Sequence, residues 1–189
     1  MNQAKNHDIN EARIKLLQMI LPIYTGTENE ILRQKAKPVK EITRKTLKLI
    51  KNMKETLLDA KGLGLAAPQV GVSERLFIAN FQYGKKVGDK FVVMPLINPK
   101  IIMHSEEIEL GEEGCLSLPE IYADVKRFSQ IIVKFLDEKG KEQILELEGL
   151  NARIVQHEID HLDGKLFVDY LDQGTIQKYE DKLAQANQF

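Results

Sequence analysis

The sequence predicts an α+β protein of a single domain, and three observations support that prediction. The 189 residues are enough to bury one sizeable core. A long helical pattern near the start is followed by many short strand patterns, and helical patterns return only at the end, which is typical of α+β rather than α/β folds. We expect antiparallel or mixed sheets packed around a central helix with the sequence His-Glu-x-x-His (HExxH), plus a long N-terminal helix and a short C-terminal helix.

The expected elements follow in chain order. A polar N-terminal extension covers residues 1–13, a short strand or turn covers 14–25, and Pro38 opens the long helix over 38–60, which has apolar residues at helical spacing and lysines on its other side. Strands are expected at 75–81, 91–97, 100–110, 121–126, 129–136 and 142–148. A polar turn covers 82–90, Asn98-Pro99 ends the second strand, and residues 137–140 form a hairpin turn. Helices are expected at 151–162 and 174–186, so residues 14–189 would form one catalytic domain.

Composition and charge narrow the class of protein. The chain is 43% hydrophobic and 29% charged with a formal net charge of -1, so no nucleic-acid motif or membrane surface is indicated. The apolar run 16–23 is too short to span a membrane and contains Pro22. A single cysteine excludes an internal disulfide and fits a reducing compartment. We expect a cytoplasmic protein.

The segment Gln156 to His161 carries the strongest chemical signal. His157 and His161 are four residues apart, so a helix places both on one face, where they could bind one metal ion with Glu158 beside them. Apolar residues surround this helix, and buried imidazoles need partners. The alternative is an exposed helix with incidental histidines, but half of the chain's 4 histidines lie in this motif. A metal-dependent hydrolase is the favoured class.

Two histidines leave a tetrahedral metal short of protein ligands, and two residues could supply the third. Glu180 lies 19 positions beyond His161, as a thermolysin-like site would require. The chain's one thiol, Cys115, follows Gly114 and two glutamates, which are poor company for a core cysteine. Taken alone, however, a free cysteine is most often a small buried hydrophobe.

A third segment, Gly62 to Gln69, is rich in small residues. It lacks the Lys-Ser/Thr of a phosphate-binding loop and precedes a strand instead of following one. Its small residues indicate backbone packed closely against something, such as a substrate chain. The amide of Gln69 could donate a hydrogen bond to a developing oxyanion, although a loop glutamine facing water is the simpler interpretation of that residue alone.

Together the three segments resemble the peptide deformylase family. That family is marked by the motifs G-Φ-G-Φ-A-A-x-Q, E-G-C-Φ-S and Q-H-E-Φ-D-H, where Φ is apolar. Here they are Gly62 to Gln69, Glu113 to Ser117 and Gln156 to His161, in that order and without a mismatch. The resemblance covers roughly residues 20–172, and the three motifs together are highly specific.

The resemblance implies removal of the N-formyl group from the first methionine of newly made polypeptides, with release of formate. It implies that Cys115, His157 and His161 bind one divalent metal, Fe²⁺ in the cell, with Zn²⁺, Ni²⁺ or Co²⁺ also able to occupy the site. It gives Glu158 the general acid/base role and the oxyanion hole to Gln69 and the Leu116 N–H. The residues it implies for substrate binding are Leu63, Gly64, Glu113, Gly114 and Ile154, with Leu116 and the His157 ring also at the methionine pocket.

Some details depart from the family pattern or stay open. Asp160 orients a ligand, pairs with Arg127, or is merely exposed. Ile121-Tyr122 replaces a pair that is often polar or basic, and Arg153 stands where apolar residues also occur. The expected partners are nascent formyl-Met polypeptides and, transiently, the ribosome, although the short C-terminal tail is not basic. A silent member that only binds peptides is a third hypothesis, against which the intact Glu158 and Gln69 count.

Overall fold

The structure is a computed structural model, and it describes residues 19–83 and 90–187. The expected extension at 1–13, part of the strand or turn expected at 14–25, and most of the polar turn expected at 82–90 lie outside the described residues. Residues 20–26 contain no helix or strand. The division into an extension and a domain from residue 14 stays a prediction.

The described elements confirm the α+β class. The helices are α1 (Glu30–Arg33), α2 (Arg44–Asp59), α3 (Gly149–Leu162), α4 (Gln173–Lys178) and α5 (Glu180–Ala186). The strands are β1 (Gly64–Ala66), β2 (Leu76–Tyr83), β3 (Lys90–His104), β4 (Ile108–Cys115), β5 (Leu118–Phe128), β6 (Gln130–Leu136) and β7 (Glu142–Glu148). Short 3₁₀ helices cover Ala67–Val70 and Phe167–Tyr170.

All paired strands are antiparallel and form two sheets. The larger sheet has the order β1-β2-β3-β6-β7, and β4 and β5 form a separate two-stranded sheet, called here the hairpin. Alternate side chains of strand β2 point to opposite faces of the sheet, and both faces are covered. Leu76 and Ile78 pack toward α2, while Phe77, Ala79 and Phe81 pack into the cluster that includes α3. The larger sheet therefore lies between the long helix and the HExxH helix.

The N-terminal helix begins six residues later than expected. Thr43, not Pro38, opens it: the Thr43 hydroxyl accepts a hydrogen bond from the N–H of Thr46, and the Thr46 hydroxyl accepts one from the N–H of Thr43. This reciprocal cap satisfies backbone donors that the first helical turn leaves free. Before it, the backbone N–H of Val39 bonds to Asn98 on the sheet, so residues 38–43 form a connection.

The sequence had predicted that Asn98-Pro99 ends the second strand, and this prediction is wrong. β3 continues to His104 and absorbs the pair as an irregularity, with a register shift between Ile97 and Lys100. Asn98 has a φ of 52°, and its side chain both accepts from the N–H and donates to the carbonyl of Val39 at 2.8 Å. Those bonds compensate for the broken ladder.

The C-terminal helix is two short helices that meet at Tyr179. The break lets this segment follow the hairpin. The Tyr179 hydroxyl donates to the carbonyl of Tyr122, and Lys182 donates to the carbonyl of Glu120 at 2.9 Å. Ala186 is buried in a third cluster with β5 and Leu166 to Val168. Among the described helices, none is long and apolar enough to cross a membrane.

Candidate active site

Two elements that are distant in sequence supply the candidate metal ligands. Cys115 is the last residue of β4, where the two-residue turn Leu116-Ser117 leads into β5. His157 and His161 are on consecutive turns of α3, with ring centroids 4.9 Å apart. One ligand atom from each of the three residues lies within 4.8 Å of the others, and the Cys115 Sγ is 3.2 Å from the His161 Nε2. The fold therefore joins the thiol to the histidine helix.

The rival third ligand, Glu180, does not join this group. It is exposed on α5 and lines a different cavity, between α4 and α5. Within the part of the chain that the structure describes, Cys115, His157 and His161 are the one group of three metal-ligating side chains that comes together. The geometry favours the cysteine over a thermolysin-like carboxylate.

Cys115 and His157 stabilise each other's charged forms. Burial raises the pKa of the Cys115 thiol, but the nearby His161 and His157 outweigh it and hold that pKa well below its usual value. Burial lowers the pKa of His157, yet its contacts with Cys115 and Glu113 outweigh that and raise it well above the usual value. A thiolate and two neutral imidazoles are a donor set for Zn²⁺, Fe²⁺ and related metals, and a metal would take the place of the His157 proton, so the residues fit a metal ion.

Glu113 orients the His157 ring through its Nδ1 atom. Its carboxylate lies 2.9 Å from the His157 Nδ1, which leaves Nε2 for the side of Cys115. Arg127 donates to both Glu113 oxygens, at 2.8 and 3.0 Å. Burial raises the pKa of Glu113, but hydrogen bonds from Arg127 and His157 outweigh it and lower the pKa to about 2. A carboxylate–histidine pair of this kind fixes the orientation of a metal-binding imidazole.

Asp160 belongs to the same network, so it is not merely exposed. It accepts a hydrogen bond from Arg127 at 2.5 Å and another from the Tyr170 hydroxyl at 2.9 Å. The Arg127 guanidinium also lies 4.9 Å from the centroid of the Tyr170 ring. Asp160 therefore pairs with Arg127, and it supports Glu113 and His157 through that pair.

Glu158 is buried beside the three ligands and has an oxygen, Oε2, without a hydrogen-bond partner in the described structure. Burial raises its pKa to about 7, against the attraction of His157 and His161. A carboxyl group with a pKa near neutrality can both accept and donate a proton. Gly64 makes room for it, because a Cβ at that position would lie 2.1 Å from the Glu158 Oε1.

Gln69 is also buried at this site, and its side chain is held at both ends. Its Oε1 accepts from the backbone N–H of Ala66 at 2.8 Å, while its Nε2 donates to the Ser117 Oγ at 3.0 Å and lies 3.5 Å from the Cys115 Sγ. The interpretation of Gln69 as a loop glutamine that faces water is therefore wrong. The sequence had not assigned Ser117 a role, although it lies within the cysteine motif.

An open cavity of about 510 Å³ collects the remaining predicted residues. Leu63, Gly64, Glu113, Gly114, Leu116 and Ile154 all line it, together with Cys115, His157, Glu158 and Gln69. His161 is buried beneath them. At the mouth are four residues for which the sequence gave no substrate-binding signal, Lys61, Glu112, Glu120 and Leu150, and Tyr122, which belongs to the pair that departs from the family pattern. Tyr122 covers Gly114, where a Cβ would lie 2.6 Å from its ring.

A Cys/His/His group beside a buried glutamate on an HExxH helix defines a metal-dependent hydrolase. Comparison with known proteins supplies the family. The model for the family described as polypeptide deformylase matches residues 20–177. A peptide deformylase of Chlorobium phaeobacteroides (strain BS1) is 47% identical over 171 residues, which are 88% of this chain and 90% of that protein. The chain belongs to the polypeptide deformylase family, whose metal-dependent enzymes remove the N-formyl group from newly made polypeptides.

Solved structures agree with this assignment. A peptide deformylase from Legionella pneumophila has a TM-score of 0.79 and 41% identity, covering 89% of this chain and 96% of that chain. A class I type b peptide deformylase from Acinetobacter baumannii, solved with Met-Ala-Ser bound, has a TM-score of 0.74 and 36% identity, covering 80% of this chain and 98% of that one.

Proposed function

We propose that Cys115, His157 and His161 hold one divalent metal ion at which the formyl group of an N-formylmethionyl peptide is hydrolysed. The convergence of these three side chains with Glu158 and Gln69 on one cavity is the observation that carries the proposal. When bound, the metal supplies a Lewis acid that polarises the formyl carbonyl and lowers the pKa of water at the site toward ~7.

Glu158 moves the protons in this proposal. Its carboxylate takes a proton from the water that attacks the formyl carbon, and it delivers a proton to the α-amine when the carbon–nitrogen bond breaks and formate leaves. A pKa of about 7 suits both transfers, because the same group must be a base in one step and an acid in the next.

Gln69 and the backbone N–H of Leu116 stabilise the oxyanion that develops on the formyl oxygen. Ala66 fixes the Oε1 of Gln69, so the Nε2 points toward Cys115 and Ser117. The Nε2 donates to the Ser117 Oγ and lies 3.5 Å from the Cys115 Sγ, so an oxyanion at the metal would take the hydrogen that now faces the sulfur. Donors that are fixed before the reaction stabilise developing charge without reorganisation.

The cavity accommodates a methionine side chain and an extended peptide. Leu63, Leu116, Ile154 and the ring of His157 form apolar walls, and all four line the cavity. The backbone at Gly64, Glu113 and Gly114 can pair with the peptide as a strand does, which recognises a chain without reading its sequence. Met-Ala-Ser, bound to the Acinetobacter relative, is the product that deformylation of formyl-Met-Ala-Ser would leave.

We also propose Fe²⁺ as the metal in the cell, with Zn²⁺, Ni²⁺ or Co²⁺ able to replace it, and the cytoplasm as the compartment. A transient contact with the ribosome follows from the nascent substrate alone. The C-terminal helices do not add to that argument, since Tyr179 and Lys182 bond to the hairpin.

Formate release from formyl-Met-Ala-Ser, measured without oxygen in the presence of Fe²⁺, tests the function. We expect turnover by the unchanged chain, loss of both bound metal and turnover in Cys115→Ala, and neither loss in Glu180→Gln. Full metal content and activity in Cys115→Ala would refute the ligand set. Truncation at Asp172 is a poorer test, because it also removes Tyr179, Lys182 and buried Ala186 from the hairpin.

A further inference from the structure

The proposed metal site depends on the docking of two separate elements. The sulfur comes from the end of β4 in the hairpin, whereas both imidazoles come from α3. A small shift of the hairpin along the helix would move Cys115 relative to His157 and His161. Side chains that bridge these two elements therefore control the geometry of the ligands.

Arg153 bridges them directly. It lies on α3, one turn before His157, and its side chain is 13% exposed. Its Nη1 lies within hydrogen-bond distance of the Glu113 Oε1 at 2.9 Å and of the carbonyls of Gly111 and Val125 at 3.1 and 2.8 Å. Its Nη2 donates to the carbonyl of Glu109 at 3.0 Å. One guanidinium thus binds both strands of the hairpin and the carboxylate that orients His157.

Gly111 forms the seat for this guanidinium. A Cβ at position 111 would lie 2.9 Å from the Arg153 Nη2, 3.0 Å from its Cζ and 3.2 Å from its Nε. Those distances are shorter than ordinary van der Waals contacts, so any side chain at 111 would displace the arginine head. Gly111 is paired with Val125, which is also an acceptor for Arg153. The glycine and the arginine act as one unit.

Arg153 also adds to the charge balance of the network. Two carboxylates, Glu113 and Asp160, share Arg127. Arg127 offsets one of these two buried charges, and His157 lies 2.9 Å from Glu113 as well. Arg153 lies 2.9 Å from Glu113 and adds a further positive charge on the same carboxylate.

We propose that Arg153, seated on Gly111, is a positioning residue that locks the hairpin to α3 and so holds Cys115 in register with His157 and His161. This inference rests on the proposed metal site. Arg153 touches none of the three ligands in the contacts described above, and it acts through Glu113 and the backbone of β4 and β5.

The test is the rate at which the Co²⁺-loaded protein loses its metal to a chelator, followed by the visible absorbance of the cobalt–thiolate site. We expect Arg153→Met to lose Co²⁺ about 10-fold faster or more, the range seen when groups that orient metal ligands are removed. Arg153→Lys should fall between, because an ammonium group keeps the charge but cannot span the four acceptors. Unchanged cobalt loss in both variants would overturn the proposal.

Arg33→Met is the matched control. Arg33 bonds to the carbonyl of Thr27 and to Asp169, and it is not part of the cavity lining. Its replacement should lower the melting temperature without speeding cobalt loss. If Arg33→Met speeds cobalt loss as much as Arg153→Met, the effect is one of general stability and the proposal fails.

A double-mutant cycle tests the seat. Gly111→Ala alone should speed cobalt loss as Arg153→Met does, and it should add little in a chain that already carries Arg153→Met, because the group that it displaces is gone. Additive effects of the two substitutions on cobalt loss would contradict the proposal that Gly111 acts by accommodating Arg153. Formate release is not part of this readout, so failure of the deformylase assay and failure of the Arg153 proposal are distinguishable.

Discussion

Glu158 illustrates how the site depends on single residues. Its carboxyl group is buried and has one unpartnered oxygen, an arrangement that is costly for stability and useful for proton transfer. Its neighbours His157 and His161 point to the thiol instead. The proposed acid/base and the proposed metal ligands therefore occupy neighbouring positions of one helix.

Replacing Glu158 with Gln should therefore separate binding from turnover. The amide keeps the shape of the side chain but cannot carry the proton, so we expect kcat for formate release to fall by a factor of about 10² to 10⁴. Cobalt binding, followed by visible absorbance, should stay intact. Loss of the metal in Glu158→Gln would show that this residue is a ligand and not the acid/base.

Gln69 permits a second test at the same scale. Replacement by Ala removes the proposed oxyanion donor, and we expect kcat to fall by about 10² to 10³. Because its Oε1 also accepts from Ala66, some loss of stability should accompany the change. Ser117→Ala is the control, since it removes the hydrogen bond to Gln69 but not the donor. An equal fall in kcat for Ser117→Ala would indicate that Gln69 matters only for packing.

Among the elements, the three-residue strand β1 brings the backbone close to Glu158. It places Gly64 against α3 so closely that a Cβ there would overlap the Glu158 carboxylate. The next residue of the strand, Leu65, is buried and holds β1 in place. The glycine in this strand is therefore needed for the close approach of backbone to the proposed acid/base.

Gly64→Ala should lower turnover by displacing Glu158. We expect kcat to fall by about 10²-fold, the cost of a small misplacement at a reacting centre, while the protein remains folded by circular dichroism. Gly174→Ala is the control, because Gly174 lies in α4, away from the cavity lining. Normal turnover in Gly64→Ala would mean that Glu158 does not need its present position.

The long strand β3 gives a prediction about stability. Asn98→Ala loses both hydrogen bonds to Val39 and also leaves an alanine at a φ of 52°. We expect the free energy of unfolding to fall by about 2–4 kcal/mol in urea titrations. Asn98→Gly loses the same hydrogen bonds but tolerates the backbone, so it should cost less. Equal losses of unfolding free energy in Asn98→Ala and Asn98→Gly would show that the positive φ at position 98 contributes nothing.

At the scale of the whole molecule, the C-terminal helices fasten the hairpin to the rest of the fold. Ala186 is buried with β5, Asn187 accepts from the backbone N–H of Thr27 at 2.6 Å, and Lys182 reaches Glu120 at the cavity mouth. The hairpin supplies Cys115, so the stability of the whole chain and the order of the site are linked.

Deleting residues 173–189 should lower the melting temperature by about 10 °C, since loss of roughly 3–4 kcal/mol shifts it by 2–4 °C per kcal/mol in a chain of this size. Calorimetry checks this expectation. The double variant Tyr179→Phe, Lys182→Met removes the two hydrogen bonds to the hairpin and the exposed Lys182–Glu120 ion pair. It should account for a minor part of the shift, because most of the effect comes from buried apolar surface. An unchanged melting temperature in the deletion would contradict this linkage.

The sequence by itself determined the α+β class, the positions of most strands and the residues that meet at the site. Periodicity is local, so it predicted Glu142–Glu148 to the residue and the HExxH helix to within two residues. Helical spacing paired His157 with His161, and the resemblance of the three motifs to the polypeptide deformylase family predicted that Cys115, Glu158 and Gln69 join them. The start of α2 was missed because a threonine cap, not the proline, satisfies its first turn.

Only the tertiary structure decided the rest. Spacing and residue type left the choice between Cys115 and Glu180 open, and the family resemblance favoured Cys115. The structure brings Cys115 to the two histidines because of which element docks against α3, and docking depends on contacts between residues far apart in sequence. The burial that raises the pKa of Glu158 to about 7 and the contacts with Arg127 and His157 that lower the pKa of Glu113 likewise come from packing. Gly111 and Arg153 gave no joint signal, since 42 positions separate the Gly111 carbonyl from the arginine that it faces. Residue types determine what chemistry is available, and long-range packing determines which groups meet and in which ionisation state.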